Sequence, residues 1–274
     1  MTNYRILLLL ALPAAAFADT PTEMPEDYRS PPAPPPDGRE IRRYALDDPG
    51  TGATNFGLAP VHDNKAFFFF RGDRLEYRSS DSADLMLWDL QAWVARDYNK
   101  LFLETEGEYS LNEDTFESFE TEVLYGRAIS SFWDFRTGLR YDFDPGPERA
   151  FAVVGLLGLA PLWFEVDANL YLSEDGDLSF RLESEYDILL TQRLILQPRL
   201  ELEAAAQDVD AYGTGAGLTG MEVGLRLRYE FSRKFAPYVG VSWESALGET
   251  ANRIESSGGD PDDTLVVAGV KFWF

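Results

Sequence analysis

Phe132-Trp133-Asp134-Phe135-Arg136-Thr137-Gly138-Leu139-Arg140-Tyr141-Asp142-Phe143 decides how the chain folds. Trp133, Phe135, Thr137, Leu139, Tyr141 and Phe143 fall on one face. Asp134, Arg136, Gly138, Arg140 and Asp142 fall on the other. Alternation with period two is the signature of a β-strand with one apolar and one polar side. The same pattern recurs on both sides of this segment. Phe180, Leu182, Tyr186 and Ile188 alternate with Arg181, Glu183, Glu185 and Asp187, and Val223, Leu225, Leu227 and Tyr229 alternate with Glu222, Gly224, Arg226 and Arg228. Twelve strands are predicted, near residues 65–78, 84–96, 100–113, 115–128, 132–143, 150–160, 163–173, 178–190, 194–206, 218–231, 235–246 and 263–274.

The connections alternate in character. Asp97-Tyr98-Asn99, Ala160-Pro161-Leu162-Trp163 and Thr191-Gln192-Arg193 are short, whereas Gln207 to Gly220 and Gly248 to Asp263 are long and acidic or Gly-rich. Short turns at one end and long loops at the other mark a transmembrane antiparallel β-barrel of the bacterial outer membrane. An even strand number places both termini at the periplasmic end, and the chain closes on Phe272-Trp273-Phe274, a terminal aromatic common among such barrels. After the first eighteen residues no apolar run reaches the ~18 residues of a spanning helix. Crossing a membrane therefore requires a closed barrel, in which every backbone group pairs with a neighbouring strand.

The segments before the barrel read differently. Arg5, the apolar core Ile6 to Leu12 and Ala16-Phe17-Ala18 are the parts of a secretory signal, assigned to residues 1–18. Residues 19–60 hold nine of the sixteen prolines and no hydrophobic period, which describes a disordered Pro-rich periplasmic arm, and the barrel domain spans 61–274. The chain has 274 residues, 47 acids against 24 bases, no cysteine and one histidine. Disulfides, cysteine-based zinc sites and a lipid anchor built on cysteine are excluded, and a net charge of −23 argues against nucleic-acid partners. Enzyme chemistry that needs a histidine base has only His62 to draw on, outside the strands, so no catalytic residue is assigned.

If the apolar faces meet outer-membrane lipid, the charged faces line the lumen. That assignment puts nineteen carboxylates inside, among them Asp89, Glu104, Glu106 and Glu108, against nine cations. Unpaired carboxylates in a confined wet lumen attract cations. Twelve strands lie between the ~8 of a barrel filled by its own side chains and the ~16 of an open channel, which predicts a narrow, partly plugged lumen. Met86 and Met221 fall on the apolar faces by alternation. His62, followed by Asp63 and Asn64, is the sole candidate nitrogen ligand, and imidazole with carboxylate suits a divalent first-row metal, copper standing high in that affinity series.

Longer strings carry a family likeness. They include Arg71-Gly72-Asp73-Arg74-Leu75-Glu76-Tyr77-Arg78, Trp88-Asp89-Leu90-Gln91-Ala92-Trp93, Glu104-Thr105-Glu106-Gly107-Glu108, Gly158-Leu159-Ala160-Pro161-Leu162-Trp163-Phe164-Glu165, Leu189-Leu190-Thr191-Gln192-Arg193 and Ala268-Gly269-Val270-Lys271-Phe272-Trp273-Phe274. In this order, over roughly residues 60–274, they resemble the copper resistance protein B family of bacterial outer membranes. The resemblance implies a barrel that binds or passes copper ions and supports copper homeostasis, with a periplasmic copper protein as a partner. His62-Asp63-Asn64 matches the family's short segment at the barrel entrance, so His62 and Asp63 are the candidate entrance ligands, and the acidic inner faces make Asp89, Glu104, Glu106 and Glu108 the candidate lumenal cation sites. The family's arm is usually rich in Met and His, whereas this arm is Pro-rich with Met24 alone. Two alternatives stand beside this reading: a cation-selective porin without copper preference, and a plugged structural barrel whose arm recruits a periplasmic partner.

Overall fold

The computed structural model describes residues 65–81, 83–144 and 146–274. The signal and arm assignments, His62 and Asp63 lie outside these residues. The strands are β1 (Phe67–Ser79), β2 (Asp84–Arg96), β3 (Asn99–Ser110), β4 (Thr115–Ala128), β5 (Trp133–Asp144), β6 (Arg149–Ala160), β7 (Phe164–Ser173), β8 (Leu178–Glu185, resumed at Ile188–Leu189), β9 (Leu194–Ala205), β10 (Gly217–Tyr229), β11 (Phe235–Ala246) and β12 (Asp262–Trp273). Each pairs antiparallel with its neighbours, and β12 pairs back onto β1. Phe70 and Phe274 exchange backbone hydrogen bonds of 3.2 and 2.8 Å at the seam. The sheet is thus a closed twelve-stranded barrel without edges, as a backbone in lipid requires.

The barrel is inverted relative to a soluble protein. Leu139 on β5 is 67% exposed and its neighbours Phe135, Tyr141 and Phe143 also face outward, while Arg136 between them is 0% exposed. On β1, Leu75 and Tyr77 point out and Arg74, Glu76 and Arg78 are buried. An apolar exterior running around the whole sheet is far beyond the patches that soluble monomers tolerate, so its solvent is the bilayer. Toward the long loops Trp88, Phe116, Phe119 and Phe143 pack on one another on the outer face, whereas at the short-turn end Phe69 stacks on Trp93 and Trp273 on the inner face, beside Arg71 and Lys271. Trp88 lies opposite Gly107, and a side chain at Gly107 would collide with the Trp88 ring, which covers that bare stretch of strand. Met86 is exposed on the outer face and Met221 is half-buried.

Three departures from simple alternation have physical causes. First, β1 carries a bulge between Gly72 and Arg74. It turns Arg71 and Asp73 inward as well, and Asp73 joins Arg71 at 2.6 Å and Lys271 at 2.8 Å. Second, β8 breaks at Tyr186–Asp187, where a continuous strand was expected. The residue opposite is Pro198, which accepts a bond from the Tyr186 N–H (3.2 Å) and has no N–H to return. Third, β3 ends at Ser110 rather than near 113, in a turn with Asp114 at φ 57.

The interior is not uniformly polar. Phe102, Leu124, Phe151, Val153 and Tyr171 form a buried apolar cluster on the inner face of β3–β7. Four arginines lie over its rings: Arg136 at 5.8 Å from Phe102, Arg140 at 4.7 Å and Arg181 at 5.9 Å from Tyr171, and Arg149 at 4.8 Å from Phe151. At the long-loop end, helix α1 (Gly248–Ser256) follows β11. Its Arg253 bonds Asp210 at 2.6 Å, a contact that raises the guanidinium pKa, and Thr250 Oγ1 accepts the Gly215 N–H at 2.9 Å. Tyr212 donates to the Pro147 carbonyl at 3.0 Å, and Arg149 sits 4.2 Å from the Tyr212 ring. Three long loops therefore interlock at the outer mouth.

Candidate functional site

The strands place charged side chains on the inner wall at every second residue, where each must find a partner or water. Most find partners. Arg136 bonds Glu104 at 2.9 Å and Asn169 at 3.1 Å and also pairs with Asp167. Glu76, fully buried, lies between Arg226 at 2.6 Å and Arg78 at 3.0 Å. Arg199 contacts Glu183 and Glu201, each at 2.6 Å, and Glu222 at 3.2 Å. Arg228 pairs with Asp187 and Lys100 with Asp134, both at 2.5 Å. The bulge adds one charge of each sign, and Lys100 trims the expected acidic excess by one, so the wall stays strongly negative.

One arginine reaches across the barrel. Arg181 on β8 meets Glu120 on β4 at 2.7 Å, Glu203 on β9 at 3.1 Å, and Glu106 on β3 and Glu201 on β9 at 3.5 Å. Glu120 also pairs with Arg140, and Glu106 with Arg74. These groups form a transverse belt. On the short-turn side lies an inner cavity of about 100 Å³, walled by ten acids and two arginines. Toward the loops lie two outer cavities of about 340 and 460 Å³. Arg181 lines all three. The lumen is thus partly plugged, by ion pairs rather than by a folded-in loop.

The predicted lumenal residues divide between these spaces. Asp89, Glu104 and Glu106 share the wall of the inner cavity, while Glu108 lines the larger outer one. Each has a protein partner: Asp89 has Arg74 at 3.2 Å, Glu104 has Arg136 and Gln91 (2.5 Å), Glu106 has Arg74 and Arg181, and Glu108 has Arg78 at 3.6 Å. Among the described residues no three His, Asp or Glu side chains converge closely enough to ligate a bare metal ion. Strand spacing holds these carboxylates along a wall, and arginines draw them sideways. The lumenal residues that sequence reasoning passed over are Asp73 and Arg71; Arg181 was placed on the lumenal face, but its reach across the barrel was not legible. The run Arg71-Gly72-Asp73-Arg74, which breaks the alternation, was the available signal for Asp73 and Arg71.

Comparison with known proteins bears on this arrangement. The family model described as copper resistance protein B precursor (CopB) matches residues 66–274, which is the whole barrel. The chain belongs to the copper resistance protein B family. Copper resistance protein B of Escherichia coli is 40% identical over 214 residues, covering 78% of this chain and 72% of that protein. The copper resistance protein B homolog of Pseudomonas syringae pv. tomato (strain ATCC BAA-871 / DC3000) matches with the same identity and coverage. Among solved structures, the NanC porin superposes with a TM-score of 0.50 at 16% identity, covering 75% of this chain and 99% of the porin. That likeness concerns the fold alone: an outer-membrane barrel of twelve antiparallel strands. As a copper resistance protein B family barrel, the chain resides in the outer membrane, with its apolar girdle in lipid.

Proposed function

We propose that the barrel binds copper ions and passes them through its acidic lumen, and so contributes to copper homeostasis and resistance. The observation that carries this reading is the acid-walled pair of compartments on either side of the Arg181 belt, in a chain of a copper-resistance family. Confined carboxylates lower the free energy of a cation at each step, and the arginines keep it from being trapped. His62 and Asp63 serve as entrance ligands at the periplasmic end. Asp89, Glu104 and Glu106 line the inner step and Glu108 the outer one. A periplasmic copper protein exchanges ions with the barrel. No catalytic role is assigned: the inner wall holds carboxylates and arginines, and the single histidine precedes the first strand.

A second reading is favoured by one observation. The lumenal donors are all hard oxygens, which do not by themselves prefer copper over other divalent ions. On that reading the barrel is a general cation path. The discriminating experiment is a competition titration of Cu(I) and Cu(II) against the refolded full-length protein, with Zn(II) as control. Saturable binding that prefers copper and weakens in His62→Ala supports the copper reading. Equal affinity for zinc, unchanged in His62→Ala, reduces the function to general cation passage.

A further inference from the structure

The ion-pair network leaves out one buried carboxylate. Glu122 on β4 is 6% exposed and lines the inner cavity. Its Oε2 is buried with no hydrogen-bond partner, and no Lys or Arg among the described residues forms an ion pair with it. The register explains why. Opposite it on β5 stands Arg140, whose guanidinium turns toward the outer mouth, to Glu120 and to Asp142 at 2.6 Å. Opposite it on β3 stands Glu104, another acid, already held by Arg136. Glu120, two residues along the same face, has two arginines. The cations are therefore spent one step above Glu122.

A buried carboxylate without a partner is costly to keep ionised unless a proton, water or a cation meets it. The cavity it faces, about 100 Å³, exceeds the roughly 10–15 Å³ that one water needs, so several waters fit. Because no three acids converge on a bare ion, a cation here would keep its water shell and touch the wall through it. We propose that the inner cavity is a resting site for a hydrated divalent cation, held by its water shell against Glu122 on the periplasmic side of the Arg181 belt. This rests on the reading that cations enter the lumen, and deepens it: the site recognises charge and hydration, with no preference for soft metals.

The test uses Mn(II) and the refolded full-length protein in detergent micelles, followed by electron paramagnetic resonance. Wild type is expected to show one saturable class of Mn(II). Glu122→Gln should weaken it about tenfold or more, as loss of a facing charge implies. Asp142→Asn, which removes an equal charge beyond the belt, should change it less than about twofold. Hexaamminecobalt(III), whose ligands do not exchange, should displace Mn(II), since an outer-sphere site accepts an intact shell. Absence of saturable binding, equal affinity in Glu122→Gln, an equal loss in Asp142→Asn, or failure of hexaamminecobalt(III) to compete would overturn the proposal. If Glu122→Gln does not fold, the cobalt competition on wild type decides. Failure here is separable from failure of the copper reading: copper preference with His62 dependence can survive an unchanged Glu122→Gln, and a Mn(II) site can persist in a barrel that does not distinguish copper from zinc.

Discussion

Replacing Arg181 with glutamine removes the side chain that borders all three of the lumenal cavities described above. Its guanidinium is the bridge from β8 to Glu106 and Glu120 across the barrel and to Glu201 and Glu203 beside it. Glu120 keeps Arg140, and Glu106 keeps Arg74, so the barrel still folds. A cation passing about 6 Å from the vacated charge in a water-filled lumen is freed from a repulsion of roughly 0.7 kcal/mol. Screening leaves most of this at ~0.01 M salt and about half at ~0.15 M. Cation occupancy at the belt should therefore rise two- to threefold at the low salt and less than about twofold at the high one. Single-channel conductance in planar bilayers should rise at least as much, because the shorter side chain also widens the passage. Reversal potentials in a KCl gradient should shift toward greater cation selectivity, and more so at low salt. Unchanged conductance would mean that the belt is not the constriction. A shift toward anions would mean that the lumenal field is not set by these carboxylates, and either result refutes the reasoning.

Two further substitutions probe what holds the barrel together. Arg136→Met strands Glu104 and Asp167 inside the wall and should destabilise the barrel by about 3–5 kcal/mol, read as a lower urea midpoint, whereas changing all three to apolar residues of similar volume should recover most of that loss. Leu139→Arg puts a charge on the outer face near the middle of β5 and should cost about 2–4 kcal/mol in folding titrations into lipid vesicles; a change under about 0.5 kcal/mol would show that this face does not meet the bilayer core.

Period-two alternation was enough to read the twelve strands, their inside and outside faces, the two classes of connection and the closure that lipid demands. Those properties follow from a backbone rule local to each strand: neighbouring side chains point to opposite faces, and only a closed sheet satisfies its hydrogen bonds in a membrane. The strings from Arg71 to Phe274 were long enough to carry the family as well. What alternation cannot express is any event that changes the count by one or depends on a strand far away in the chain. The bulge at Gly72–Arg74 turned Arg71 and Asp73 inward, and Pro198 on β9 broke β8 at Tyr186. Which acid meets which arginine was likewise decided in three dimensions. Arg181 and Glu120 are 61 residues apart, and Arg226 and Glu76 are 150 apart. Sequence alone counted an acidic excess and spread it evenly over the lumen. Tertiary structure concentrated it, because each arginine reaches a fixed distance from its own strand. It is that reach, set by strand register and barrel curvature, that pairs Glu120 twice and leaves Glu122 facing the cavity alone.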